Sequence, residues 1–263
     1  MLWLFITVRE VRRVPHADVF GAENFADVAL HLQESFLHTP EVGAILQDLA
    51  AYAVGRLGST DPGCSCEITV LRPKKPVTTA CSNPAAKVMN QVEFKHGDGP
   101  GLTAMRTSAM VLVADLRLEQ RWPDYVQAVQ DQGFLSVLSI PVELEGDAQG
   151  VLTFYCSHPV DPRDNRVDVA ETFVRRASKG LTLCLRMLRL EETRDGMTAA
   201  MQTRTVIDLA TGAIMAQNRC TQDAAFKLLR EASNTRNMKL RDVAAMVISS
   251  VAGVTDTFTY FDE

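Results

Sequence analysis

Apolar side chains recur at helical spacing along two N-terminal stretches: Phe25, Val28, Leu32 and Phe36 within 23–38, and Ile45, Leu49, Ala53 and Leu57 within 41–57. Steps of three and four residues gather such side chains on one face, so both stretches are expected to be amphipathic helices. The pattern then changes period. Residues 64–72 alternate, are rich in β-formers and end at Pro73; 77–81 is a second short strand candidate. A helix is expected over 83–94, a buried strand over 110–114, and a helix over 125–132 that ends at Gly133. Residues 136–144 and 150–157, joined by Glu145-Gly146-Asp147, read as a β-hairpin.

From Val167 the steps alternate strictly between three and four: Val167, Ala170, Val174, Ala177, Leu181, Cys184 and Leu188. That is an a/d seam over three heptads and predicts a parallel homodimer. The same residues could instead pack this helix on its own sheet, with Phe173, Leu183 and Leu185 lying off the seam. Glu191, Glu192 and Asp195 stand where the seam would continue, so a loosened hinge is expected there.

Three shorter stripes close the chain. Ile207, Ala210 and Ile214 form the first, with the small residues Thr211, Gly212 and Ala213 beside them. Ala225, Leu228, Leu229 and Ala232 form the second, with Thr221 as its N-cap and 234–237 as its end. Leu240, Val243, Ala244, Val247, Ile248 and Val251 form the third. Each helix hides one stripe, so the three read as a compact unit.

Charge adds to this picture. The chain of 263 residues carries a formal −5, yet 204–251 holds seven basic residues (Arg204, Arg219, Lys227, Arg230, Arg236, Lys239, Arg241) against four acids. That stretch is therefore +3 and the remainder −8, a basic module on an acidic body. The opening MLWLFITV is too short to span a bilayer, and its arginines follow the apolar run where a secretory signal would place them before it. It reads as a stray strand or as an extension from an upstream start codon, and no membrane partner is expected.

Six cysteines stand at 64, 66, 81, 156, 184 and 220, with no Cys-x-x-Cys or Cys/His ligand spacing, so no metal site is expected. Cys64 and Cys66 are either a redox pair or buried thiols of a reducing cytoplasm. Gly97-Asp98-Gly99-Pro100-Gly101 opens a short helix and could cradle phosphate, but lacks the Gly-Lys-Ser/Thr ending of a P-loop. A backbone turn at a pocket rim is the plainer reading. His31, His38, His96 and His158 are each isolated. Arg121 and Asp115 read as a ligand-binding pair or as an internal salt bridge orienting Trp122.

The run Ala210-x-Gly212-x-x-Met215, then Ala225, Leu228 and Arg230, then Leu240-x-Asp242-Val243-Ala244, resembles an ANTAR domain, an RNA-binding module of bacterial transcription antiterminators. The family often has a lysine where this chain has Thr211, which removes one candidate phosphate contact. Gly97-Asp98-Gly99-Pro100, Asp115-Leu116, Arg121-Trp122-Pro123 and Ser139-Ile140-Pro141 resemble the GAF half of actinobacterial GAF–ANTAR proteins. There a cysteine commonly follows the GDGP run; here Gly101 stands instead, so cysteine chemistry at that site is absent.

The resemblance implies an α+β chain: a GAF sensor domain (23–160), a linker and coiled-coil helix (161–195) and a three-helix ANTAR unit (196–253). An N-terminal extension (1–22) and an acidic tail (254–263) flank them. It implies a cytoplasmic, dimeric, non-enzymatic regulator that binds paired hairpins in nascent mRNA and keeps a terminator from forming. It also implies a small-molecule ligand in the GAF pocket; no residue names that ligand or any cofactor. Arg230, Arg236, Lys239 and Arg241, with Arg204 and Arg219 flanking the first helix, are the expected RNA-binding surface. Two other readings stand beside it: a GAF-type redox sensor or enzyme using Cys64, Cys66 or Cys81, and a helix-turn-helix DNA-binding regulator.

Overall fold

The structure is a computed structural model that describes residues 22–57 and 63–252. The acidic tail and the N-terminal extension up to residue 21 lie outside the described residues, as do the side chains of Phe25 and Leu57. The class is α+β. Contacts divide the chain after Leu188 into two compact units.

The first unit is a five-stranded antiparallel sheet between two layers of helices. Its strands are β1 (Ser65–Leu71), β2 (Thr78–Cys81), β3 (Val111–Val113), β4 (Ser136–Val142) and β5 (Gln149–Cys156), in the order β2-β1-β5-β4-β3. Alternation along the strands feeds two cores. On one face Ile68, Val70, Leu138, Ile140, Leu152 and Phe154 pack against α1 (Ala22–His38), α2 (Val42–Leu57) and the start of α6 (Asn165–Asn218). On the other face Val137, Val151 and Tyr155 pack with α3 (Pro84–His96), α4 (Pro100–Thr107) and α5 (Pro123–Val129). The β4–β5 hairpin forms as its sequence predicts, with Val142 opposite Gly150.

The heptad seam proves to be an internal one. Val167, Ala170, Val174, Ala177, Leu181, Cys184 and Leu188 are all buried in the first core, none more than 6% exposed. In this structure that face is covered by the chain's own sheet and helices, the other packing that the spacing allows. Gly180 permits this close packing, because a Cβ there would lie 2.8 Å from Leu32 Cδ1. Nor does the helix break at Glu191–Asp195: α6 runs unbroken for 54 residues. In the first unit Leu183 and Met187 of α6 stay exposed, and in the second Leu190, Met197 and Met201 do.

The second unit joins the C-terminal part of α6 to α7 (Gln222–Arg236) and α8 (Leu240–Ala252). Its core is small: Ala210, Ile214, Ala225, Leu229, Val243 and Ala244, with Leu240, Val247 and Ile248 partly buried around it. The Thr221 hydroxyl accepts from the Ala224 N–H, and Asn237 ends α7 in the left-handed conformation at φ +50°. Leu228 and Val251, both expected in the stripes, are exposed instead.

Candidate functional sites

The interior of the first unit holds a polar cluster on the α3–α5 face of the sheet. Glu67 points into it from the middle of β1, where period-2 alternation fixes its side. Its carboxylate accepts from Tyr155 Oη at 2.6 Å, Asn90 Nδ2 at 2.5 Å and Thr69 Oγ1 at 2.8 Å. Burial raises its pKa above the usual carboxylate range, and these three donors oppose the shift.

Glu93, near the end of α3, accepts from the Leu102 N–H at 2.8 Å and so caps α4. Burial, reinforced by the charge of Glu67, pushes it up to about 8. The glycine-rich run exists for this carboxylate: a Cβ on Gly99 would lie 2.5 Å from Glu93 Oε1, and Gly97 ends α3 at φ +69°. The α4 N-terminus is therefore filled by a side chain of the protein, and the phosphate-cradle reading falls. Tyr125 Oη is buried beside the cluster and lacks a hydrogen-bond partner among the described residues.

Asp115 and Arg121 do not pair with each other. Asp115 binds Arg117 in a bidentate fork, and Arg121 binds Glu119 at 2.6 Å with its guanidinium 4.4 Å over the Trp122 ring. Partners two residues away on one turn outcompete a more distant one. Of the thiols, burial raises Cys66 well above its ordinary value and pushes Cys81 up to about 12, so both stay protonated and unreactive. Cys64 faces Cys156 rather than Cys66, with its sulfur 2.7 Å from that of Cys156.

The second unit carries the cations. Arg204, Arg219, Arg230, Arg236, Lys239 and Arg241 are all exposed. Arg204 pairs with Asp208 at 3.7 Å; among the described residues the other five have no carboxylate partner. Ala210, Ala225 and Leu240 contribute to the core, whereas Gly212 and Leu228 are exposed and Met215 lies at the core edge. No helix approaches Gly212 closely among the described residues, since nothing lies within 4 Å of a Cβ placed there. Thr211 is 4% exposed and its hydroxyl donates to the Ile207 carbonyl, so position 211 faces inward, away from any phosphate.

Beside Arg204 a groove of about 560 Å³ is walled by Ala200, Thr203, Ile207, Phe226 and Leu240. Phe226 is 40% exposed there. Sequence reasoning passed over it, although its place between the buried Ala225 and Leu229 turns it off the stripe. It likewise passed over Glu67 and Glu93; the signal for Glu67 was a charge between Cys66 and Ile68 in an otherwise apolar strand.

The GAF domain family model matches residues 6–181 and the ANTAR domain model residues 195–248. Among solved structures, the chain is similar to a LuxR-family transcription factor from Burkholderia cenocepacia that depends on N-acylhomoserine lactone. The identity is 12%, with 61% of this chain and 96% of that one covered and a TM-score of 0.46. A domain of a two-component sensor histidine kinase from Sinorhizobium meliloti 1021 aligns at 14% identity, over 57% of this chain and 97% of that one, with a TM-score of 0.40. The reduced form of fRMsr of Staphylococcus aureus aligns at 17%, over 60% and 95%, with a TM-score of 0.42. A comparison with curated proteins found no match. Among the described residues no helix is long and apolar enough to cross a membrane.

Proposed function

Because this chain belongs to the GAF domain family and carries an ANTAR domain behind it, we propose that it is a signal-responsive, RNA-binding regulator of transcription antitermination. It acts in the cytoplasm, without covalent chemistry on its target, by holding paired hairpins of nascent mRNA so that a terminator does not form. The observation that carries this reading is the set Arg230, Arg236, Lys239 and Arg241: exposed cations that have no carboxylate partner among the described residues, on a unit whose core is complete without them. Cations in that state are available to phosphates, and each phosphate contact releases counterions. The groove beside Arg204 supplies the second element, an exposed Phe226 face on which an unpaired loop base stacks.

The sensor half has its own chemistry. Glu67 and Glu93 are two carboxylates buried on one face of the sheet, with the Tyr125 hydroxyl, unpaired among the described residues, beside them. A GAF domain of this kind takes a small-molecule signal, whose class these internally bonded carboxylates do not name. Two hairpins ask for two ANTAR units, and the second copy docks on exposed apolar side chains of α6 within the second unit. Leu190, Met197 and Met201 step by seven and four, the spacing of a heptad register. Leu190→Asp combined with Met197→Asp should leave the chain monomeric in light scattering; a persistent dimer would move the interface elsewhere.

The RNA reading is tested by titrating the chain into a labelled two-hairpin RNA with unlabelled duplex DNA as competitor. The RNA complex should survive an excess of DNA. Equal competition would favour the helix-turn-helix reading.

A further inference from the structure

We propose that Cys64 and Cys156 are a peroxide-reactive dithiol that closes reversibly to a disulfide between the residue preceding β1 and the end of β5. Ser65 pairs with Tyr155 and Cys66 with Phe154 in the antiparallel register, so the next step places Cys64 directly opposite Cys156. Opposed residues of an antiparallel pair have Cα atoms about 4.5–5.5 Å apart, inside the range a disulfide spans. The two sulfurs already lie 2.7 Å from one another. No backbone rearrangement is needed to bring them together.

The surroundings select the oxidant. Both thiols line a cavity of about 40 Å³, walled also by Phe154, Val160, Arg166 and Ala170. A space of that size admits a molecule like water or hydrogen peroxide, whereas oxidised glutathione could meet only the exposed edge of Cys64. Cys64 is half-exposed and Cys156 buried, which casts Cys64 as the attacking sulfur and Cys156 as the resolving one. The Cys64 thiolate attacks one peroxide oxygen and the O–O bond breaks; the departing hydroxide takes up the thiol proton as water, leaving a sulfenic acid on Cys64. The Cys156 sulfur then attacks the sulfenic sulfur, an S–S bond forms, and the hydroxyl leaves with the Cys156 proton as a second water. Two thiols lose two hydrogens and one peroxide becomes two waters.

The other thiols of this unit are held back. Cys66, Cys81 and Cys184 all have their pKa raised by burial, which keeps the reactive thiolate scarce. The pair also sits where a change can be read: Val167 and Ala170, in the first turns of α6, line the same cavity.

The test uses the full chain, reduced and then exposed to a small excess of hydrogen peroxide. Alkylation under denaturing conditions should count six thiols before treatment and four after, dithiothreitol should restore six, and peptide mapping should join Cys64 to Cys156. Oxidised glutathione at the same concentration should produce the link at least tenfold more slowly. In Cys156→Ser the linked peptide should vanish and a sulfenic-acid trap should label Cys64. A count that stays at six, a link between any other pair, or equal rates with the two oxidants would overturn the proposal. The wild-type mapping decides the matter even if the variant does not fold.

Discussion

Leu229→Ala should unfold the C-terminal unit, whereas Leu228→Ala next to it should leave that unit folded. Leu229 is 1% exposed and shares its core with Ala210, Ile214, Ala225, Val243 and Ala244, three of which are alanines. Truncating a buried leucine costs about 2–5 kcal/mol, through lost apolar transfer and the cavity left behind. A helical unit this small has stability of only about that size. Leu228 is 46% exposed, and truncation of an exposed side chain shifts stability by about 0.5 kcal/mol at most. Hydrogen exchange of the α7 and α8 amides separates the outcomes: protection lost in Leu229→Ala and kept in Leu228→Ala. Equal protection in the two variants would mean that the packing described here is wrong.

The N-terminal unit should lose stability as pH rises, and Glu93→Gln should blunt that loss. Glu93 has its folded pKa pushed up to about 8 from an ordinary 4.5. Between those values the folded state keeps a proton that the unfolded state releases. The free energy of unfolding therefore falls with rising pH, by at most about 1.4 kcal/mol per unit for one such group, and levels off above pH 8, where both states are ionised. Glutamine retains an oxygen for the Leu102 N–H but carries no charge. Between pH 6 and 9, exchange protection of the β1 and β5 amides should decline steeply in the wild type and less in Glu93→Gln, which should be the more stable protein at pH 9. Parallel profiles would show that Glu93 ionises without cost.

Which parts of this molecule could be read from its sequence follows from how local each feature is. The β4–β5 hairpin was legible because its alternation and turn are encoded within some twenty residues. The caps of α7 were legible for the same reason: Thr221 and Asn237 act on their own backbone neighbours. The partner of α6 was not legible, because three-four spacing reports a buried stripe and not what buries it. The seam residues from Val167 to Leu188 meet the chain's own sheet and helices. The sensor cluster was hidden by distance: Glu67, Asn90 and Tyr155 meet only because β1, α3 and β5 fold together. Charge counting found the cations of the C-terminal unit, but not the groove beside Arg204 or the ring of Phe226.

The central claim, that these cations hold RNA phosphates, is tested most directly by the salt dependence of hairpin binding in the wild type and in a variant carrying both Lys239→Gln and Arg241→Gln. Lys239 and Arg241 flank Leu240, which packs against the core, so both can change without disturbing it. Each phosphate contact contributes about −0.7 to the slope of log affinity against log salt for single-stranded RNA, so the double variant should flatten that slope by about 1.4. Affinity should fall alike for all hairpin sequences, with circular dichroism unchanged. An unchanged slope with native structure would contradict the account and show these side chains to be solvated surface.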